Sequence, residues 1–234
     1  MEVLVIAPHP DDEVLGVGGT LARHAAEGDR VTVCIATKGQ PPLFPEGGYK
    51  ATRAEAARAH ECLGVHKTIY LDFPAANVEA APRYELNARL LNVILEVKPE
   101  ILYIPHFEDM QKDHQLIVEA VMVAIRPKYA HRVKEVYMYE TLSETEWNLP
   151  HPAKQFTPNY YVDISGYLDK KLTAFSMYES QRDSFPNPRS EEAIRSLAGY
   201  RGSNIMAEAA EAFEVVRVVR MKENEKNAAE KRID

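Results

Sequence analysis

The sequence predicts an α/β fold with a Rossmann-like, doubly wound and mostly parallel sheet, with strand order near 3-2-1-4-5. Short runs of apolar and β-branched residues recur along the chain, and longer segments with apolar residues at helical spacing separate them. Glycine and proline lie at most of the junctions. Strands that alternate with helices indicate a parallel sheet covered on both faces, because a parallel pair needs a long crossover connection.

The predicted strands of the first half are short apolar runs, typical of strands buried on both faces. Proline follows the first and the fourth of them and ends each one, because proline cannot donate a hydrogen bond to a sheet. The five runs are Val3–Ala7, Arg30–Ala36, Thr68–Leu71, Ile101–Ile104 and Glu135–Tyr139.

The predicted helices lie between these strands. The first begins near Val14, after three acidic residues, and ends before Gly28, a residue type that favours the position just beyond a helix. Pro99 stops the third helix, which carries leucine and isoleucine along one face. The second, third and fourth predicted helices are Ala51–Leu63, Arg83–Val97 and His114–Ile125.

The second half has a less regular pattern, which we interpret as an irregular α/β part of the same domain. It predicts strands over Tyr160–Asp163 and Val215–Val219, and helices over Leu168–Met177, Glu191–Leu197 and Ala207–Phe213. Residues 222–234 are a charged tail. Because the chain has no internal repeat and no low-complexity linker, we expect one domain over residues 1–221.

The composition is ordinary for a globular protein, with 45% hydrophobic and 27% charged residues among 234. The net charge of −7 argues against nucleic acid as a partner. No apolar run approaches the ~20 residues of a membrane helix and no signal peptide is recognised, so neither a membrane partner nor secretion is expected. Cys34 and Cys62 lie in separate elements without a metal-type spacing, which predicts free thiols and a cytoplasmic location.

The turn between the first strand and the first helix concentrates the chemically active side chains. His9, Asp11, Asp12 and Glu13 lie within five residues there. A helix cap would explain one or two acids, but three acids beside a proline-flanked histidine favour a metal site. His9 and Asp12 are three residues apart and can reach one ion, whereas Asp11 projects differently and can handle a proton. We expect Glu13 to complement the helix N-terminus.

The glycines after this turn suggest a competing interpretation, a dinucleotide-binding turn. Gly16, Gly18 and Gly19 follow the first strand, as such a fingerprint requires. They fall inside the predicted helix rather than in the turn, so the backbone geometry that binds phosphate is missing. The dinucleotide interpretation is therefore rejected.

In the predicted strand order, the first and fourth strands are neighbours where the winding reverses, and ligands bind there at the carboxyl ends of the strands. Residues 106–115, which follow the fourth strand, are rich in histidines and acids. His114 opens the next helix and is the expected third ligand. Two histidines and one carboxylate leave positions open for water, as in catalytic zinc sites, and Fe²⁺ or another divalent metal also suits this set.

These two segments carry a family resemblance. Pro8–Glu13, reading PHPDDE, together with Asp109–His114, reading DMQKDH, resembles the PIG-L/LmbE family of zinc-dependent N-acetylglucosaminyl deacetylases. Weaker matches extend the resemblance over most of the chain, at Arg53–Glu55, Ser180–Gln181 and Ala210–Phe213.

This resemblance implies a metal-dependent amidohydrolase that cleaves a linear amide, removing acetate from an N-acetylglucosamine-type sugar or glycoconjugate. One zinc ion per chain would be held by His9, Asp12 and His114, with metal-bound water as the nucleophile. Asp11 would be the general base, and Arg53 would contact the substrate. The implied partner is a small amino sugar. The resemblance also implies a homo-oligomer, with a hexamer as one expected form, because some members of the family assemble as hexamers.

The second motif departs from the family's HPDH pattern, because this chain reads QKDH over Gln111–His114. Gln111 stands where the family has the histidine that polarises the reacting carbonyl, so we expect a neutral hydrogen-bond donor to the oxyanion. Asp113 is expected to orient a ligand ring. The glutamine leaves open a catalytically weakened sugar-binding protein, and the ligand set leaves open a non-haem Fe(II) enzyme. The histidines expected at the surface are His24, His60, His66, His131 and His151.

Overall fold

The computed structural model describes residues 1–128, 133–150 and 155–220, and within these ranges it contains a seven-stranded sheet and six α-helices. The strands are β1 (Glu2–Ala7), β2 (Arg30–Lys38), β3 (Lys67–Pro74), β4 (Ile101–Pro105), β5 (Glu135–Tyr139), β6 (Tyr160–Asp163) and β7 (Ala210–Val218). The helices are α1 (Asp12–Ala26), α2 (Tyr49–Leu63), α3 (Arg83–Val97), α4 (Lys112–Ala124), α5 (Leu168–Ser176) and α6 (Glu191–Ser203). The predicted tail, His131 and His151 lie outside the described residues.

The sheet has the order β3-β2-β1-β4-β5-β7-β6. The first five strands pair in parallel, which confirms the predicted α/β class and the order 3-2-1-4-5 for that part of the sheet. Beyond β5 the sheet continues with two antiparallel strands, since β7 pairs with both β5 and β6. The predicted order was therefore incomplete, because it left the last two strands outside the sheet.

The helix predicted over Ala207–Phe213 was wrong, because Ala210–Phe213 forms the first half of β7. Its alanines favour a helix in isolation. In the folded chain this segment lies between two strands, with Tyr139 opposite Phe213 on one side and Tyr161 opposite Ala212 on the other. Backbone pairing on both edges and burial of the small side chains outweigh the local preference.

Two helical layers cover the sheet, and β1 contributes to both cores. Val3, Val5 and Ala7 face the layer that contains α1, α2, α5 and α6. Leu4 and Ile6 face the layer that contains α3 and α4. This alternation shows that β1 is buried on both faces. Its place between β2 and β4 puts its carboxyl end, where the site described below lies, in the interior of the sheet.

Helix α1 packs unusually closely on the sheet at two glycines. A Cβ atom on Gly16 would lie 2.2 Å from the Tyr139 ring, and one on Gly19 would lie 2.7 Å from Ile164. The Tyr139 hydroxyl crosses to β1 and donates to the Ile6 carbonyl at 2.9 Å. The glycines therefore serve helix packing, consistent with the rejection of a dinucleotide-binding turn.

A buried ion pair ties α1 to the C-terminal part of the chain. Lys171 Nζ donates to Glu211 Oε1 at 2.6 Å and to the Leu15 carbonyl at 2.7 Å. The Glu211 carboxylate also accepts the backbone N–H groups of Gly19, at 2.9 Å, and Thr20, at 2.7 Å. The ion pair thus binds main-chain groups in the middle of α1, and it joins that helix to α5 and β7.

Both cysteines are free, as predicted. Burial raises the pKa of the Cys34 thiol to about 12, which keeps it protonated and unreactive near neutral pH. Among the described residues, none of the helices combines the length and the apolar character needed to cross a bilayer.

Candidate metal and catalytic site

The site lies at the carboxyl ends of β1 and β4, the two strands that meet where the sheet winding reverses. The turn after β1 carries His9 and leads into α1, whose first residue is Asp12. The segment after β4 leads into α4, and His114 lies in the first turn of that helix. Residues 105 positions apart in sequence are thereby brought into contact.

Three side-chain atoms converge at this point. His9 Nδ1 lies 3.4 Å from Asp12 Oδ2, and His114 Nε2 lies 3.3 Å from the same oxygen. The two ring nitrogens are 3.3 Å apart. A tetrahedral ion with bonds of about 2.0–2.1 Å would hold two ligands about 3.3–3.4 Å apart, so the three spacings match such an ion.

Carboxylates bind the outer nitrogen of each ring. Asp113 Oδ2 lies 2.9 Å from His9 Nε2, and Asp109 Oδ2 lies 2.8 Å from His114 Nδ1. With the ring protons donated outward, the two inner nitrogens present lone pairs to each other and to the Asp12 carboxylate. Three acceptors facing one point require a cation, so the donor set fits a divalent metal with three protein ligands.

The electrostatics of the cluster also favour bound positive charge. Burial alone would lower the pKa of His9, but Asp113 and Asp12 raise it to about 9. Burial likewise opposes the rise in the pKa of His114, which the charge of Asp12 and the hydrogen bond to Asp109 impose. Asp12 has a lowered pKa despite its burial, chiefly because of His114. The pocket therefore stabilises a cation strongly, whether as protons or as a metal.

Asp11 faces a different partner from Asp12. Its backbone is left-handed, with φ 111°, an uncommon conformation for a residue other than glycine. Asp11 Oδ2 accepts a hydrogen bond from Arg189 Nη1 at 2.6 Å, and the buried Oδ1 has no partner among the described residues. Burial raises the pKa of Asp11 well above its usual value, against the charge of Arg189. This carboxyl binds a proton more readily than an exposed aspartate does, and its role as general base stays a prediction.

A buried network holds the strained turn at Asp11. The Asp11 N–H donates to Glu13 Oε2 at 3.1 Å, and Glu13 Oε1 accepts from the Tyr178 hydroxyl at 2.5 Å. His60 Nε2 lies 3.1 Å from the same oxygen, and its Nδ1 lies 2.7 Å from Thr68 Oγ1. Glu13 thus does more than complement a helix terminus.

The expectation that five histidines lie at the surface was wrong for His60, which is almost fully buried. It was also wrong in part for His24, whose half-buried ring lies between Asp29 and Tyr103. His66 is exposed, as expected. The sequence around His60 does not predict its contact with Glu13, because Glu13 is 47 positions away in sequence.

Gln111 caps α4 and contacts a residue that the sequence motifs did not indicate. Its Nε2 donates to Glu144 Oε1 at 2.7 Å. Glu144 lies in the loop after β5 and is buried, and its Oε2 has no hydrogen-bond partner among the described residues. The structure therefore adds three residues to the predicted site, each identified by its contacts in the fold: Asp109, Arg189 and Glu144.

Arg53 lies apart from the ligand cluster. It forms an ion pair with Asp72, and its guanidinium stacks 4.1 Å from the ring centre of Tyr70 and 5.2 Å from that of Tyr49. Among the described residues, no hydrogen bond or ion pair joins Arg53 to the three predicted ligands. Its contact with the substrate stays a prediction.

Comparison with known proteins gives consistent matches. The family model described as PIG-L, GlcNAc-PI de-N-acetylase, matches residues 4–125. The chain is 30% identical to diacetylchitobiose deacetylase of Thermococcus kodakarensis, over 86% of this chain and 78% of that protein. It is 27% identical to the 1D-myo-inositol 2-acetamido-2-deoxy-alpha-D-glucopyranoside deacetylase of Actinosynnema mirum, over 76% of this chain and 80% of that protein.

A solved structure matches nearly the whole fold. The conserved protein TT1542 of Thermus thermophilus superposes with a TM-score of 0.77 and 27% sequence identity, covering 95% of this chain and 98% of that one. The named sequence relatives are deacetylases, which are amidohydrolases, the enzyme class that the sequence predicts. From its sequence, its fold and the half of its length that the family model matches, this chain belongs to the PIG-L family of deacetylases.

Proposed function

We propose that this protein is a metal-dependent hydrolase that removes the acetyl group from a 2-acetamido-2-deoxyglucose unit. The observation that carries the proposal is the convergence of His9 Nδ1, Asp12 Oδ2 and His114 Nε2, with the buried carboxyl of Asp11 next to Asp12 in the chain. The substrate class is supported by the names of the two relatives, since both substrates contain an N-acetylated glucosamine unit.

In this proposal His9, Asp12 and His114 hold one divalent metal, with zinc as the first candidate. When bound, such an ion lowers the pKa of a coordinated water and polarises the acetamide carbonyl. Asp113 and Asp109 hold the two imidazole rings so that one nitrogen of each faces the ion. Both carboxylates are buried, which fixes the ring orientations before the metal binds.

Asp11 would accept the proton of the attacking water at Oδ1, the oxygen without a partner among the described residues. Its raised pKa makes it a stronger base than an exposed aspartate, while the hydrogen bond from Arg189 to Oδ2 fixes the carboxyl plane. Gln111 donates one amide hydrogen to Glu144 and has a second for the developing oxyanion. Arg53 and its flanking tyrosines would contact the sugar farther from the metal.

The proposal is tested by measuring acetate and free amine released from N-acetylglucosamine, diacetylchitobiose and the N-acetylglucosaminyl inositol glycoside. Protein stripped with a chelator should lose the activity and recover it with zinc. Release from none of these by metal-loaded protein would overturn the proposal. Sugar binding without release would instead support a weakened sugar-binding protein, and oxygen consumption with iron would support a non-haem Fe(II) enzyme.

A further inference from the structure

Glu144 is the buried carboxyl at this site that the proposed chemistry has not used. Its side chain is 4% exposed and lies in the loop that follows β5. Both main-chain groups of Glu144 form hydrogen bonds. Its N–H donates to the Thr141 carbonyl at 3.1 Å, and its carbonyl accepts from the Met110 N–H at 3.3 Å. Oε1 accepts from Gln111, and Oε2 has no partner within the described part of the chain.

The surroundings of Glu144 act on its protonation in both directions, and burial has the largest effect. Burial raises the pKa of Glu144 above its usual value, and the neighbouring charge of Asp12 adds to that rise. His114 and His9 act in the opposite direction, as does the hydrogen bond from Gln111. The charge of Glu144 also acts on the guanidinium of Arg189. That guanidinium donates its hydrogen bonds to Asp11, Ser143 and Gln181.

A neutral carboxylic acid accepts through one oxygen and donates through the other. At Glu144 the accepting oxygen is occupied by Gln111, so the hydrogen would sit on Oε2, the buried oxygen without a partner in the described ranges. The topology separates this donor from the base. Asp11 follows β1 and Glu144 follows β5, and β4, which leads to His114, lies between those two strands.

We propose that Glu144 is the general acid that protonates the leaving nitrogen, an inference that rests on the proposed deacetylase function. As the amide C–N bond breaks, the Oε2–H bond breaks with it and an N–H bond forms on the amine. The water oxygen bonds to the acyl carbon, and the proton of that water goes to Asp11. The proton on Asp11 then restores Glu144 through solvent, so the net change is one amide and one water converted to acid and amine.

The division between Asp11 and Glu144 follows from how each is held. Arg189 and the Glu13 network fix Asp11, so its single free oxygen serves the water. Gln111 fixes Glu144 from the α4 side, where the family resemblance places a histidine. A glutamine cannot donate a proton near neutral pH, and its partner Glu144 can. Gln111 is then a positioning residue for the acid as well as a donor to the oxyanion.

The test compares an amide with an ester, because an alkylamine must be protonated to leave and 4-nitrophenolate need not be. In Glu144→Gln, kcat/KM for acetate release from the N-acetylglucosaminyl substrate should fall by about 100-fold or more. In the same variant, kcat/KM for hydrolysis of 4-nitrophenyl acetate should change by less than about 5-fold. The metal content should stay at the wild-type value. The matched control is Glu146→Gln, an exposed glutamate two positions away, which should behave as the wild type.

Equal losses on amide and ester would make Glu144 a structural residue and overturn the inference, as would unchanged amide cleavage. If Glu144→Gln does not fold, Glu144→Ala with added formate provides a second measurement, and partial rescue of amide cleavage alone is expected. No rescue in folded protein would contradict the inference.

Wild-type protein that releases no acetate from any N-acetylated sugar would overturn the proposed function itself, whereas release that persists in Glu144→Gln overturns only the role of Glu144.

Discussion

At the residue scale, two adjacent carboxylates have different surroundings. Asp12 Oδ2 lies within 3.4 Å of both histidine nitrogens, whereas Asp11 Oδ2 lies 2.6 Å from Arg189. The backbone at Asp11 is left-handed, and its N–H donates to Glu13. A side chain in this conformation costs about 1–3 kcal/mol, which the surrounding network must offset.

We therefore expect Asp11→Asn and Asp12→Asn to fail in different ways. Asp12→Asn removes a charged ligand, so the metal content measured after dialysis should fall. Asp11→Asn removes the base, so kcat should fall by about 100-fold or more with metal content unchanged. Thermal unfolding serves as the control for both variants. Equal loss of metal in the two would mean that both carboxylates hold the ion.

At the element scale, the position of α1 depends on interactions outside that helix. The buried pair of Lys171 and Glu211 binds main-chain groups at Leu15 and Gly19, and two glycines allow contact with Tyr139 and Ile164. Because α1 carries Asp12 in its first turn, these contacts also place a predicted metal ligand.

Lys171→Met should destabilise the protein by about 3–5 kcal/mol, because it leaves the Glu211 carboxylate buried without its cation. The double variant Lys171→Met with Glu211→Gln should recover part of that loss, since the uncompensated charge is gone. Urea unfolding measures both. Lys170→Met, at an exposed neighbouring lysine, is the control and should change little. A double variant less stable than the single one would contradict the explanation.

Two glycine substitutions of the same kind should have opposite effects. Gly16→Ala places a methyl group against Tyr139 and should destabilise the protein by about 1–3 kcal/mol. Gly199 lies in α6 with open space around it, so Gly199→Ala should stabilise by about 0.5–1 kcal/mol through helix propensity. Melting temperatures of the two variants test this pair. A tolerated Gly16→Ala would mean that α1 can move away from the sheet.

At the scale of the whole molecule, the site draws on widely separated parts of the chain. Asp11 follows the first strand, His114 lies near the middle, and Arg189 immediately precedes Ser190, which caps α6. The family model matches residues 4–125, so Glu144 and Arg189 lie beyond it. We propose that residues 1–221 form one domain, which the contacts of Arg189 with Asp11 and of Lys171 with α1 support.

Long-range pairing should also appear in the pH dependence of stability. Burial alone would raise the pKa of Glu214, but hydrogen bonds from His106 and the Thr157 N–H hold it below its usual 4.5. A carboxyl with a lowered folded-state pKa stabilises the fold above its unfolded pKa, and that contribution is lost as pH falls through the folded pKa.

Glu214→Gln should therefore lose less stability than the wild type between about pH 5 and pH 3, measured by urea unfolding at each pH. Glu208→Gln, at an exposed glutamate preceding the same strand, is the control and should keep the wild-type pH dependence. An unchanged pH profile in Glu214→Gln would contradict a stabilising role for the ionised carboxyl.

Local sequence determined the parts of this protein whose partners lie within a few residues. Alternating strand and helix patterns predicted the first five strands in their correct order, and the three-residue spacing of His9 and Asp12 reflects a single turn. His114 followed from topology, because parallel strands bring their carboxyl ends to one edge. The alanine-rich segment at Ala210 misled the local analysis, since its strand pairing depends on residues far away in the chain.

Only the tertiary structure decided which distant groups meet at the site. Arg189 and Asp11 are 178 positions apart, and Asp113 and His9 are 104 apart, so no local spacing records either contact. Glu144 lies in an ordinary polar loop, and its burial against Gln111 depends on how β5 lies beside β4. Helical and strand periodicities describe which face of an element is apolar. The partners of a buried polar group depend instead on the path of the whole chain, because packing brings together elements that no periodicity connects.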